Sequence, residues 1–194
     1  QRINADGAVQ WTANGVAICT AADDQCAPKI VSDGAGGAII TWYDYRTGKS
    51  DIYARRINAN GAVQWTAYGQ AICTADNNQE YPTIVSDGAG GAIITWMDYR
   101  GGNYDIYAQR INADGAVQWT ANGVAISTET DNQRYADVVF GAGLFGGEAI
   151  ITWQDFRSGT DYDIYAQRIN LAGVVQWTTN GKAICTAENN QEYP

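Results

Sequence analysis

The sequence predicts an all-β fold of tandem four-stranded antiparallel blades, of the β-propeller type. Three observations carry this: a repeat of 54–58 residues, short strand-like runs split by tight-turn signals, and no apolar stripe at helical spacing. The repeat shows first in the segment Gln-Trp-Thr. It stands at Gln10-Trp11-Thr12, Gln64-Trp65-Thr66, Gln118-Trp119-Thr120 and Gln176-Trp177-Thr178, in steps of 54, 54 and 58 residues. Residues 10–55 and 64–109 differ at 13 of 46 positions, so the copies are closely matched. A residue present in every copy serves the unit. A residue found in one copy is a candidate for a special role.

The elements follow in order from the copy that begins near residue 82. Thr83 to Ser86 is the first strand and Ala92 to Tyr99 the second. Asp105 to Asn112 is the third. Ala116 to Trp119 is the fourth, resumed after a glycine turn at Val124 to Ser127. These runs are rich in Ile, Val, Thr, Trp and Tyr, which pack well on a pleated surface. Asp87-Gly88, Gly101-Gly102 and Asp114-Gly115 separate them as hairpin-turn signals. Within Ala38 to Arg46, one face carries Ala38, Ile40, Trp42, Asp44 and Arg46, and the other Ile39, Thr41, Tyr43 and Tyr45. Both faces are apolar or aromatic near the middle, as expected of a sheet covered on both sides. A β-solenoid or a strand-exchanged β-fibre is the alternative architecture.

This reading divides the chain into the C-terminal half of a blade at 1–27 and blades at 28–81, 82–135 and 136–194. The last carries an insertion at 140–148, where FGAGLFGGE replaces SDGAGGA. Closed propellers use about four to eight blades. A chain cut inside a blade is therefore expected to belong to a longer array, or to be completed head to tail by copies of itself.

Charge and composition narrow the function classes. The chain has 21 acidic and 12 basic side chains, for a formal net charge of −9. Nucleic acid and anionic membranes are poor partners for such a surface. It has no histidine, which excludes Ser-His-Asp and Cys-His catalysis and His-ligated zinc. No apolar run of about 18 residues is present, so no membrane insertion is expected. The stretch Gly34 to Gly37 is a hairpin turn, because the Lys-Ser/Thr and helix of a phosphate loop do not follow it.

The unit VSDGxGGAIITWxDYR, followed by DIYAQRIN, VQW and AICT, resembles repeats of large secreted bacterial surface proteins, including those exported with a C-terminal sorting domain. The resemblance spans essentially the whole chain. It implies blade-like repeats, an extracellular or cell-surface location, and a structural or adhesive role.

One constellation recurs in every full copy. It is Trp42, Asp44 and Arg46; Trp96, Asp98 and Arg100; and Trp153, Asp155 and Arg157. Asp51, Asp105 and Asp163 follow across the hairpin, then Tyr53, Tyr107 and Tyr165. An aromatic face with carboxylate and guanidinium beside it could hold a sugar. The favoured reading is a framework, with the Arg pairing to an Asp of its own hairpin. Carboxylates repeated copy by copy do not offer the two contrasting environments of an acid–base pair, so no enzyme is expected. The Asx-rich loops at Asp23-Asp24, Asp76-Asn78, Asp131-Asn132 and Glu188-Asn190 read as turns, with structural calcium the lesser reading and no other cofactor expected. Cys19, Cys73 and Cys185 share one repeat site, and Cys26 is near enough to Cys19 for a local disulfide. The expected function is self-association as a filament or surface-layer component. Multivalent glycan binding is the alternative.

Overall fold

A computed structural model of the chain describes residues 1–141, 146–192 and 194. They form twelve strands and, among the described residues, no helix. The first sheet holds β1 (Gln25–Ser32), β2 (Ala38–Asp44), β3 (Asp51–Ile57) and β4 (Gln70–Cys73). The second holds β5 (Gln79–Ser86), β6 (Ala92–Asp98), β7 (Asp105–Ile111) and β8 (Val124–Ser127). The third holds β9 (Gln133–Gly141), β10 (Glu148–Asp155), β11 (Asp163–Asn170) and β12 (Lys182–Cys185). Each sheet pairs its strands antiparallel in chain order, and no strand pairing joins one sheet to another among the described residues. The fold is therefore all-β with three four-stranded antiparallel sheets that do not close into a barrel.

The sheets pack face to face in sequence order. Ile39, Ile52, Ala54 and Ile72 of the first meet Ala92, Ile94, Trp96 and Ile111 of the second. Ile93, Met97, Ile106 and Ile126 of the second meet Val138, Ala149, Ile151 and Trp153 of the third. Residues Trp11, Val16, Ile18 and Cys19 lie on the open side of the first sheet. Covering both sides explains why all seven residues of β6 are buried. Each such side chain taken from water stabilises the stack by about 1.5–3 kcal/mol.

Two elements differ from the sequence expectation. Ala116 to Trp119 forms no strand; only an isolated bridge joins Ile111 to Val117, and the fourth strand is Val124–Ser127 alone. The reason is that Trp119 turns away to the next sheet, where its Nε1 donates to Leu171 O at 3.0 Å. The first strands also begin earlier, at Gln25, Gln79 and Gln133. Each carries a bulge that the alternation pattern hid, and the expected blade boundaries at 27/28, 81/82 and 135/136 fall at these bulges.

The turn between first and second strands shows why the third copy departs from the others. Asp33 Oδ1 accepts from the backbone N–H of Ala35 and Gly37, each at 2.8 Å, while Arg56 pairs with Oδ2 at 2.8 Å. Asp87 and Arg110 repeat the arrangement. A Cβ on Gly91 would lie 2.2 Å from Ile111 O and 2.8 Å from Asp87 Oδ2, so the buried carboxylate demands glycine there. The third copy has Gly141 where the aspartate stood and Glu148 where that glycine stood. Glu148 now meets Arg168, at 3.5 Å. Within the expected insertion, residues 142–145 lie outside the described residues.

Candidate functional site

The repeated Trp-Asp-Arg constellation is built identically in all three sheets. Trp96 Nε1 donates to Asp98 Oδ2 at 2.8 Å. Arg100 grips the same carboxylate through Nε at 2.8 Å and Nη2 at 2.6 Å, and its backbone N–H adds a fourth bond at 3.0 Å. The guanidinium lies 3.8 Å above the Tyr107 ring, and Nη2 also reaches Asn122 O at 2.8 Å. Trp42, Asp44 and Arg46 on Tyr53, and Trp153, Asp155 and Arg157 on Tyr165, repeat these contacts. Burial pushes the Asp44 carboxyl up, but the bonds from Arg46 and Trp42 outweigh it and hold the group below its ordinary range.

Four donors occupy each carboxylate, and the three indoles are 0–3% exposed. No ring face is left for a sugar. The second aspartates differ more. Lys49 and Thr47 bind Asp51, and Asn103 donates to Asp105 at 3.1 Å. Burial, with the facing charge of Asp98, pushes Asp105 up to about 6. Asp163 is also raised, by burial first and then by Asp161 and Asp155.

The disulfide expectation is corrected: all four cysteines are free thiols. Cys19 Sγ instead faces the next sheet, 3.3 Å from Tyr68 O and 3.4 Å from Arg46 Nη2, while Cys26 sits opposite Tyr43 in the β1–β2 register. Cys73 repeats the Cys19 contacts with Asn122 O and Arg100. The Asx loops are turns in which Asp23, Asn77, Asp131 and Asn189 take left-handed backbone. Among the described residues no group of three Cys, Asp or Glu is placed to hold a metal ion.

A second site emerges at the bulges. Ala27, Tyr81 and Tyr135 occupy equivalent positions, with φ of 47°, 51° and 51°. Left-handed backbone is unfavourable for a bulky residue and recurs at sites of function. In each sheet two first-strand residues oppose one second-strand tryptophan, so Tyr81 and Pro82 have no partner in the β5–β6 register. The strain turns the rings outward: Tyr81 is 45% and Tyr135 42% exposed. They meet edge to face at 5.9 Å, and Tyr43 joins Tyr81 at 5.7 Å, giving an aromatic row that runs across all three sheets. Ala27, Lys29, Pro82, Thr83 and Ala136 complete a cleft around the two rings.

Beside the row, Glu80 accepts from Tyr104 OH at 3.1 Å, Ser50 Oγ at 3.2 Å and Tyr45 OH at 3.5 Å. Burial, then the Glu80 charge, pushes Tyr104 up to about 12, so its hydroxyl stays a donor through the neutral range. Sequence reasoning passed over this site because it followed what the copies share. The available signal was the opposite one: positions 26, 27 and 29 differ from 80, 81 and 83 inside otherwise matching strands.

No protein-family model and no curated protein matches the chain. Among solved structures it is similar to an endo-1,4-beta-xylanase from Bacteroides thetaiotaomicron VPI-5482. That match has 9% identity and a TM-score of 0.46, over 89% of this chain and 56% of that one. A glycosyl hydrolase from Bacteroides ovatus matches at 10% identity and a TM-score of 0.49, over 87% and 57%. The chain thus spans little more than half the length of these structures. The expectation that it is no enzyme is corrected here, since chains resembling it include a xylanase and a glycosyl hydrolase. At these identities and TM-scores no activity is carried over to this chain.

Proposed function

We propose that the chain is an extracellular adhesive segment of propeller-type blades that binds neutral carbohydrate in the tyrosine cleft. The observation that carries this reading is the exposed Tyr81–Tyr135 pair on left-handed backbone. A pyranose needs an apolar platform for its C–H face and polar groups at its rim. The rings supply the platform, and Lys29 and Thr83 stand among the residues that line the cleft beside them. The cleft holds one charged side chain, Lys29, within a chain of net charge −9, which favours a neutral ligand over an acidic one. The blade reading is supported by sheets that stack in sequence order on both faces, and the extracellular location by the resemblance to secreted surface repeats.

The test is an array of neutral glycans, followed by calorimetric titration of the best binder. Binding is expected for the intact chain and is expected to be lost in Tyr81→Ala and Tyr135→Ala. Binding that survives both replacements would place the site elsewhere. An empty array, or preference for a proline-rich peptide in the same cleft, would overturn the carbohydrate reading.

A further inference from the structure

The hairpin between second and third strands ends each time on a buried aspartate. Asp51, Asp105 and Asp163 stand in register with Asp44, Asp98 and Asp155, and they are 0%, 5% and 6% exposed. A carboxylate at such a depth needs a donor or a cation beside it. The first two hairpins supply one from the residue two places before the aspartate. Lys49 Nζ donates to Asp51 Oδ1 and also reaches Ala75 O at 2.6 Å. Thr47 Oγ1 adds a bond to Asp51 Oδ2 at 2.6 Å. Asn103 Nδ2 donates to Asp105 Oδ1 and to Glu129 O, each at 3.1 Å.

The third hairpin is one residue longer and carries Asp161 at that place. An ionised aspartate has no proton to give to Asp163. Ser158, the counterpart of Thr47, turns to Asp161 instead: its Oγ donates to Asp161 Oδ1 at 3.2 Å, and Thr160 Oγ1 does so at 2.9 Å. Among the described residues nothing donates to the Asp163 carboxylate. The charges that act on it are Asp161, Asp155 and Arg157, and Arg157 already pairs with Asp155.

This difference lies within the hairpin itself. In the sister sheets every group bonded to the second aspartate belongs to its own hairpin, and the third hairpin is described in full from Arg157 to Asp163. The charges differ in step. Lys49 with Asp51 sums to zero, Asn103 with Asp105 to −1, and Asp161 with Asp163 to −2.

We infer that the third hairpin binds a divalent cation of the calcium type between Asp161 and Asp163, where the first hairpin holds the ammonium of its own Lys49. The available ligands are hard oxygens, which suits calcium better than zinc. The two carboxylates balance its charge. Ala187 O, the counterpart of Ala75 O and Glu129 O, adds a neutral ligand. It accepts from Gln191 Nε2 at 3.1 Å and keeps a second lone pair. No third acidic side chain is needed, because carbonyls and water complete a calcium shell.

Calorimetric titration of calcium into the chelator-treated chain tests this, with Asp161→Asn and Asp161→Lys beside it. One site is expected, with a dissociation constant of about 0.1–1 mM. At ten times that concentration the melting temperature is expected to rise by about 3–6 °C. Asp161→Asn is expected to weaken binding about tenfold or more. Asp161→Lys is expected to bind no calcium and, without calcium, to melt above the intact chain, because the new side chain does for Asp163 what Lys49 does for Asp51. Asp161 is half-buried near a hairpin tip, so both variants are expected to fold, and circular dichroism checks it. An intact chain that takes up no calcium below about 10 mM, an unchanged affinity in Asp161→Asn, or a calcium response kept by Asp161→Lys would overturn the inference.

Discussion

Each sheet sets two positions against one another across its bulge. On the second strand stand Trp42, Trp96 and Trp153, identical in every copy and buried. On the first strand stand Ala27, Tyr81 and Tyr135, varied and held on left-handed backbone. The tryptophan side has its indole N–H, both carboxylate oxygens and the Nε and Nη2 of its guanidinium engaged. The tyrosine side leaves ring surface toward solvent. Across this bulge, the position identical in every copy is the buried framework, and the position that varies is the one whose rings stand toward solvent. The motif most visible in the sequence is for that reason the one least available for binding.

Replacing Arg100 tests the framework half and carries the largest expected effect. Arg100→Ala leaves Asp98 a buried charge with two of its four bonds gone. Breaking a buried pair on one side costs about 3–5 kcal/mol. Urea unfolding should show that loss, and Arg100→Lys should recover only part of it, because lysine cannot make the two-pronged bond or lie flat on Tyr107. A loss under about 1 kcal/mol would mean that the cluster is a surface ion pair of the weak kind.

Much of this architecture is legible in the sequence, for reasons that can be named. Asp87-Gly88 and Asp114-Gly115 announce turns because their backbone needs left-handed glycine, at φ 74° and 87°. The apolar and aromatic side chains on both faces of Ala92–Asp98 announce a strand covered on both sides. What stayed hidden depends on neighbours in space. Nothing near Trp119 in the chain says that its indole leaves its own sheet for Leu171. Nothing in Gln79–Ser86 announces the bulge, since it exists to pass over Trp96 on the opposite strand. The Cys19–Cys26 proximity in sequence likewise says nothing of Arg46, which approaches Cys19 from the next sheet.

The second aspartates offer an intermediate effect and sharpen the contrast within the framework itself. Asp105 faces Asp98 across β6 and β7, and its carboxyl is pushed up to about 6 by burial and that charge. Its folded pKa lies above the unfolded value near 3.9, so the folded state holds the proton more tightly. Stability from this group is fully present below about pH 4, falls as pH rises toward 6, and is absent above it. Asp105→Asn is therefore expected to raise stability by about 1–3 kcal/mol at pH 7 and to change little at pH 4. Thermal melts across that range decide it. The same change at Asp51, which Lys49 and Thr47 hold, should lower stability at neutral pH. Equal effects at the two sites would mean that the sister aspartates share one environment after all.

The smallest expected effect on stability belongs to the exposed half, and there it should be uncoupled from binding. Tyr81 keeps a left-handed backbone that costs a non-glycine residue about 1–2 kcal/mol. Tyr81→Gly removes that strain but adds chain entropy of about 0.5–1 kcal/mol to the unfolded state, and it gives up the contacts to Tyr43 and Tyr135. These terms nearly cancel, so a net change under about 1 kcal/mol is expected, far below the effect at Arg100. Glycan titration of the same variant should show no binding. A loss above about 2 kcal/mol would make Tyr81 a packing residue, and its strained backbone would then serve the stack rather than a ligand. Unchanged stability with lost binding would instead mean that the strain is kept for the ligand, at a position where the first copy differs from the other two.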